Sequence, residues 1–312
     1  MATVDATNMT DSDAIQTYIC SNCGATTSFD PAKRTLRCPF CGTEMAVRAT
    51  GAAVPTISAP QYVLPFKIDK DASATTIREW LGDSFFAPRD LKSRSAIERG
   101  QGTYVPFWRF DVETSNEWEG EVSRQETRRV SRSFTNSDGK SERRMVDEPY
   151  TTWHPRNGQH HGKHRTYVCA STGLTQAEAD QLMPFPEEAM MTYTADLLVG
   201  FGSEEPGTDE DGVWENGEQR IREMAREECS REVERLSQVD THIRVRTSAV
   251  VHLPVWLYNY AYDGKQFRVL VNGYTSEIVG DRPVSRGRIA LVVGAVVAVI
   301  LVLVVLYLVF GG

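Results

Sequence analysis

LPVWLYNY, residues Leu253–Tyr260, sets bulky apolar side chains at alternate positions, and that period of two in an aromatic, β-branched run is the pattern of a β-strand. A second stretch, YVPFWRFDV (Tyr104–Val112), resembles it: aligning Pro106 with Pro254 superposes Trp108 on Trp256 and Phe110 on Tyr258. Each is followed by a further strand-like segment, around Trp118 and around Phe267. They therefore read as two aromatic β-hairpins, near 103–122 and 252–271, from an internal duplication or from strand propensity alone. The proline in each points to a strand start or a sheet edge, because proline cannot donate to a ladder. Just beyond, KQFRVLV (Lys265–Val271) and YTSEIV (Tyr274–Val279) flank Asn272-Gly273, the pair suited to the positive φ of a type I′ turn.

Working outward, Tyr62–Ile68 reads as a short apolar strand. ASATTIREWL then places Ala74, Ile77 and Leu81 at helical spacing, with Asp71 or Ser73 as N-cap. Pro88 followed by RDLKSRSAIERG suggests a second helix closed by Gly100. Glu218–Leu236 carries Ile221, Met224, Ala225, Cys229, Val233 and Leu236 on one stripe, preceded by an acidic loop, SEEPGTDEDGVWENGE. The fold class expected is α+β, with a β-rich domain over 61–285. The small, proline-containing stretch 49–60 is linker composition, and 1–17 is expected to be disordered.

At the chain's far end, IALVVGAVVAVILVLVVLYLVF (residues 289–310) is 22 residues without a charge. As a helix it is about 33 Å long, matching a hydrocarbon core of about 30 Å. Arg282, Arg286 and Arg288 precede it and only two glycines follow, so the positive-inside rule places the preceding domain in the cytoplasm. No apolar leader opens the chain, which then reads as a single-pass, tail-anchored protein of the cell membrane, in contact with the bilayer through 289–310.

At the near end, Cys20-Ser-Asn-Cys23-Gly24 and Cys38-Pro-Phe-Cys41-Gly42 are two CxxCG units separated by fourteen residues. Each lets two thiolates converge on one tetrahedral ion, and four thiolates form a closed set, the chemistry of one structural zinc. Two disulfides or a redox pair are the alternatives, disfavoured by a reducing compartment and by the matched second pair. The zinc ribbon is expected over 18–48, with TTSFDPAKRTLR (26–37) as a hairpin turning at Asp30-Pro31. Its few basic residues favour protein docking over DNA contact. Cys169 and Cys229 stand apart and read as buried, inert thiols.

Composition narrows the function. The 312 residues are 41% hydrophobic and 24% charged, which excludes a wholly disordered or collagen-like chain. A net charge of −8 argues against non-specific coating of nucleic acid, which needs surplus cations. Four histidines, His154, His160, His161 and His164, crowd into WHPRNGQHHGKH; they could hold a second metal, yet Gly158 and Gly162 make a polar surface loop the plainer reading. A basic run from Arg124 to Arg144, diluted by Glu121, Glu126 and Glu142, spans an expected hairpin with its tip at Ser137-Asp138-Gly139. Gly139-Lys140-Ser141 ends like a phosphate loop, but Phe134 stands where the required glycine belongs. GxSxG, HExxH and GxGxxG are absent, so the sequence offers no positive reason to propose an enzyme.

Taken in order, the CxxCG pair, the YxPFW segment, a Trp-His segment, LPVWxYxY, VLVNGxT, a GxRPxS tail and one terminal span resemble a family of tail-anchored zinc-ribbon proteins of prokaryotes. Its members often carry the label primosomal protein N′ (replication factor Y) or superfamily II helicase. The resemblance covers most of the chain and is most specific from Val269 to Ser285. Where members follow NGxT with glycine, this chain has Ser276. The helicase label implies ATP-driven unwinding, which a chain of this length without a phosphate loop does not support. The expected role is a non-enzymatic adaptor for protein partners. A nucleic-acid-linked zinc factor, and a metalloenzyme using the His154–His164 stretch, are the alternatives.

Overall fold

The computed structural model describes residues 16–20, 22, 24, 26–29, 35–38, 40, 43–46, 60–88, 90–94, 96–97, 100–135, 141–198 and 200–310. Residues 1–15 and nearly all of the 49–60 stretch lie outside them.

In chain order the strands are β1 (Gln16–Ile19), β2 (Thr26–Phe29), β3 (Thr35–Arg37), β4 (Glu44–Ala46), β5 (Tyr62–Val63), β6 (Ala96–Ile97), β7 (Gln101–Thr135), β8 (Ser141–Cys169), β9 (Met191–Thr192), β10 (Gly202–Ser203), β11 (Arg235–Tyr262), β12 (Lys265–Asn272) and β13 (Ile278–Gly280). The helices are α1 (Lys70–Gly82), α2 (Leu91–Arg94), α3 (Gln176–Gln181), α4 (Glu210–Ser230) and α5 (Arg286–Phe310). Among the described residues eleven strands form one sheet with the path β1-β2-β10-β7-β11-β12-β13, and β3 and β4 form a second. The architecture is α+β and dominated by sheet. Two compact units divide the chain: Met1–Trp108, Cys169–Asp209 and Ala249–Gly312 make the first, Arg109–Val168 and Glu210–Ser248 the second.

The first unit is built on the stretch LPVWLYNY. Tyr258 and Tyr260 are buried with Trp256, Val269 and Val271 against Ile77, Leu81 and Leu91. Helix α1 supplies Ser73, Ile77 and Leu81 at four-residue spacing, and Ser73 meets Tyr258 hydroxyl to hydroxyl at 2.6 Å. Its N-cap is Asp69, whose carboxylate accepts from Ala72 N at 2.8 Å, rather than Asp71 or Ser73. The expected second helix shrinks to the four residues of α2, and Ala96–Ile97 pairs with β11 instead. The strand expected over Tyr62–Ile68 is only β5, since Leu64 N bonds to His252 O and the chain then departs.

Two turn assignments change. Strands β11 and β12 close in register Tyr262↔Lys265, around Asp263 (φ 50°) and Gly264 (φ 75°), so the positive-φ pair is Asp-Gly, not Asn272-Gly273. Asn272 instead ends β12: its side-chain oxygen accepts from Tyr274 N and Thr275 N and its amide donates to Leu182 O. The five-residue connection that follows puts Ser276 at φ 70°. Gly273 is required for closeness, because a Cβ there would lie 2.6 Å from the Phe66 ring.

The expected first aromatic hairpin does not exist. β7 runs without a break from Gln101 past Trp118 to Thr135, because no turn intervenes: Thr114, Ser115 and Asn116 are buried within it, Asn116 donating to Thr114 at 3.0 Å. Pro106 and Pro254 sit mid-strand, where ladders change partner. The β5 ladder ends at His252 and the β12 ladder begins at Val255. The β10 ladder likewise ends at Tyr104. A missing N–H costs nothing between two ladders.

In the second unit α4 begins at Glu210, so the second half of the expected acidic loop is its first two turns. It ends at Ser230, six residues short of Leu236. Val213, Gly217, Ile221, Ala225 and Cys229 form its buried stripe, one residue every four. Beyond Ser230 the chain turns into β11; Val233 still reaches the cluster of Trp118 and Cys229, with Leu236 and Val239 packed on it from the strand.

Candidate functional site

The four cysteines of the expected ribbon come first. Among the described residues β2 does not pair with β3, as a hairpin across 26–37 requires; β1 pairs with β2 and β3 with β4 instead. β1 pairs with β2 from Gln16↔Phe29 to Ile19↔Thr26, and between them Gly24 N donates to Cys20 O at 2.8 Å with Gly24 at φ 75°. β3 pairs with β4 from Thr35↔Ala46 to Arg37↔Glu44, and Cys38 N donates to Thr43 O at 2.9 Å. Cys20 and Cys38 are each 1% exposed. Cys23 and Cys41 lie outside the described residues. Among those described, no group of three or more His, Cys, Asp or Glu has a metal-holding arrangement. The first hairpin continues the large sheet through Ser28↔Ser203, and Phe40 of the second knuckle packs on Gly173, where a Cβ would lie 2.2 Å from its ring.

Beside that contact lies a buried polar group that the sequence reading passed over inside its acidic loop. Glu204 is fully buried and follows β10. Its carboxylate accepts from the Ser171 hydroxyl at 2.6 Å, and from Thr172 N at 2.7 Å and the Thr172 hydroxyl at 2.9 Å. Burial pushes the Glu204 carboxyl up to about 7, against the pull of those donors. Nearby His252 is also buried, and desolvation takes its imidazole down to about 4 despite a hydrogen bond to the Glu204 backbone. The burial of one acid has no one-dimensional signal: Glu204 is buried and the adjacent Glu205 only half-buried. Sealed from solvent, it ties the Ser171–Gly173 loop to β10 rather than meeting a substrate. Arg268 grips the same loop through Gly173 O at 2.7 Å and pairs with Glu178, the capping-box residue of α3. Cys169, close by in sequence, is an unreactive thiol: burial pushes it up to about 12.

The histidine stretch is not a loop. It lies inside β8, and its glycines make room rather than turns: a Cβ on Gly158 would lie 2.5 Å from the Trp118 indole, and one on Gly162 2.4 Å from His164. Strand alternation sets His161 apart from the other three, and His154 lies further along the strand. His160 and His164 share a face, where His160 Nε2 lies 3.0 Å and His164 Nδ1 3.8 Å from the Glu228 carboxylate of α4. His164 Nε2 also meets the Thr114 hydroxyl at 3.0 Å, and burial lowers its affinity for a second proton. His161 is exposed on the other face, and His154 lies 3.7 Å from Glu126.

The basic run lies on exposed parts of β7 and β8, with the tip at 136–140 outside the described residues. Carboxylates face its guanidinium groups: Arg129 pairs with Asp147 at 3.2 Å, Arg132 with Glu148 at 2.7 Å and Arg144 with Glu142 at 2.9 Å. Exposed pairs of this kind add little stability, and they offset part of the positive charge of the run.

Helix α5 is the remaining feature. From Gly287 to Leu308 it is long and apolar enough to cross a membrane, with mean hydropathy 3.5 and none of that window buried.

Compared with known proteins, the chain is similar to Uncharacterized protein YdjG of Bacillus subtilis (strain 168). The two are 25% identical over 238 aligned residues, covering 74% of this chain and 66% of that protein, so the match spans just under two thirds of the relative's length. No family model matches the chain, and no solved structure matches it.

Proposed function

We propose that this chain is a single-pass membrane protein whose cytoplasmic zinc ribbon and β-rich body form a non-enzymatic adaptor for protein partners. The observation that carries the reading is α5: a helix of membrane length, uncharged from Ile289 to Phe310 and with its apolar side chains exposed along that run, has a favourable solvent only in lipid. Arg282, Arg286 and Arg288 on its N-terminal flank support a cytoplasmic body. Support for the ribbon comes from Cys20 and Cys38, buried at the turns of two hairpins as structural thiolates are, with their CxxC partners Cys23 and Cys41 completing a four-thiolate set. Such a site has no open position for substrate. Its role is to fold a segment too small to hold itself together, which fits a docking knob better than a reaction centre.

Metal analysis of the purified full chain tests this. One zinc per chain, lost in Cys38→Ser, is the expected result. No metal would overturn the ribbon, and a second ion surviving in that variant would favour an enzyme built on the β8 histidines. Release from vesicles by alkaline carbonate would overturn the anchor. Salt-sensitive retention on DNA would favour the nucleic-acid-linked factor, for which the primosomal label of the resembling family would then be apt.

A further inference from the structure

We infer that the turn after α1, carrying Phe85 and Phe86, is a second membrane contact that lies in the bilayer interface beside α5. This rests on the proposal that α5 spans the membrane. A turn facing water is ordinarily polar, yet here two adjacent phenylalanines are 63% and 41% exposed, their rings edge to face at 5.4 Å. The turn is bonded directly to the segment that leads into α5. Ser285 N donates to Phe86 O at 2.8 Å, and the Arg288 guanidinium donates to Phe85 O and lies 5.8 Å from that ring. Val284, on the same segment, is 59% exposed.

The level follows from those bonds. Ser285 precedes Ile289, where the apolar run begins, by four residues, or about 6 Å at the rise of an α-helix. The backbone of Phe86 is therefore pinned at headgroup depth, where aromatic rings and the apolar faces of peripheral segments come to rest. The cations are placed to match: Arg288 at the helix start, and Arg282, four residues before α5, stacked 3.8 Å over the Trp80 ring. Both lie where anionic lipid headgroups would meet them. The occupant of this apolar surface is thus the lipid that surrounds α5, because the turn is bonded to the residues from which the helix starts. A body fastened at this second point cannot swivel freely on its anchor.

The test places the photoreactive analogue p-benzoylphenylalanine singly at positions 85, 86, 265 and 299 of the full chain, reconstituted in vesicles of phosphatidylcholine and phosphatidylglycerol. Position 299 lies within α5, and Lys265 is exposed at the β11–β12 turn. After irradiation, phospholipid adducts at 85 and 86 should match those at 299 and exceed those at 265 at least ten-fold. Lipid labelling at 299 with only the 265 level at 85 and 86 overturns this inference and leaves the anchor standing. No adduct at 299 removes the anchor, and the inference with it. Cross-linking of 85 or 86 to another polypeptide in place of lipid overturns it in favour of a protein partner or a second copy.

Discussion

Glu204 and His252 are neighbours whose folded-state pKa values are displaced in opposite directions, and the pH dependence of stability should expose both. Glu204 is raised from 4.5 to about 7. Between those values the folded state holds a proton that the unfolded state has released, so the contribution is full below pH 4.5 and is lost as pH rises through 7. His252 is depressed from 6.5 to about 4, so its penalty is full at low pH and vanishes above 6.5. At roughly 1.4 kcal/mol per unit, going from pH 5 to pH 8 removes about 2–3 kcal/mol through Glu204 and restores about 2 kcal/mol through His252. In the wild-type chain the two nearly cancel. Replacing one should uncover the other: relative to wild type, Glu204→Gln should gain about 2–3 kcal/mol between pH 5 and 8, and His252→Gln should lose about 2 kcal/mol. Urea midpoints of the detergent-solubilised full chain, followed by tryptophan fluorescence, give the three curves, and all other titrations drop out of the differences. Three parallel curves would refute the burial argument for this pair.

Other consequences follow from individual residues. Ser276→Gly, which relieves a positive φ of 70°, should stabilise the chain by about 0.5–1 kcal/mol; an unchanged or lowered melting temperature contradicts that. Gly273→Ala drives a methyl group to within 2.6 Å of Phe66 and 2.9 Å of the Pro254 Cβ, and should cost about 1–3 kcal/mol by the same melt. Val299→Arg, at the middle of α5, should raise the insertion cost by about 2.5–3.5 kcal/mol and increase the fraction released by alkaline carbonate; equal retention would argue against a span.

Much of the local structure was legible because it rests on local causes. The helix over 289–310 needs only its own composition, and α1 announces itself through Ile77 and Leu81 at helical spacing. The CxxCG spacing is visible in the sequence, while among the described residues the strands beside it pair as β1 with β2 and β3 with β4, not β2 with β3. Misreadings cluster where a glycine or a polar residue has two possible uses. Gly158 and Gly162 suggested a loop, and the structure uses them to admit Trp118 and His164. Asn272-Gly273 and Asp263-Gly264 both fit a tight turn; the choice fell to the register of β11 against β12 and to the distant Leu182 carbonyl that holds the Asn272 amide. The hairpin expected near 103–122 gives way to one strand, because Asn116 finds Thr114 and β7 carries on through a buried layer.

From its sequence alone this protein has a lipid-length helix at one end, a four-cysteine pattern at the other and a strand-rich body between them, because composition and short-range spacing act within a few residues. Only the tertiary structure decided that Glu204 and His252 share a dry interior, that His160 and His164 converge on Glu228 while His161 turns away, and that Phe85 and Phe86 are bound to the root of α5. Each of those depends on which strand lies beside which, and burial, the quantity that moves a pKa or exposes a ring, is a property of neighbours that are far apart along the chain.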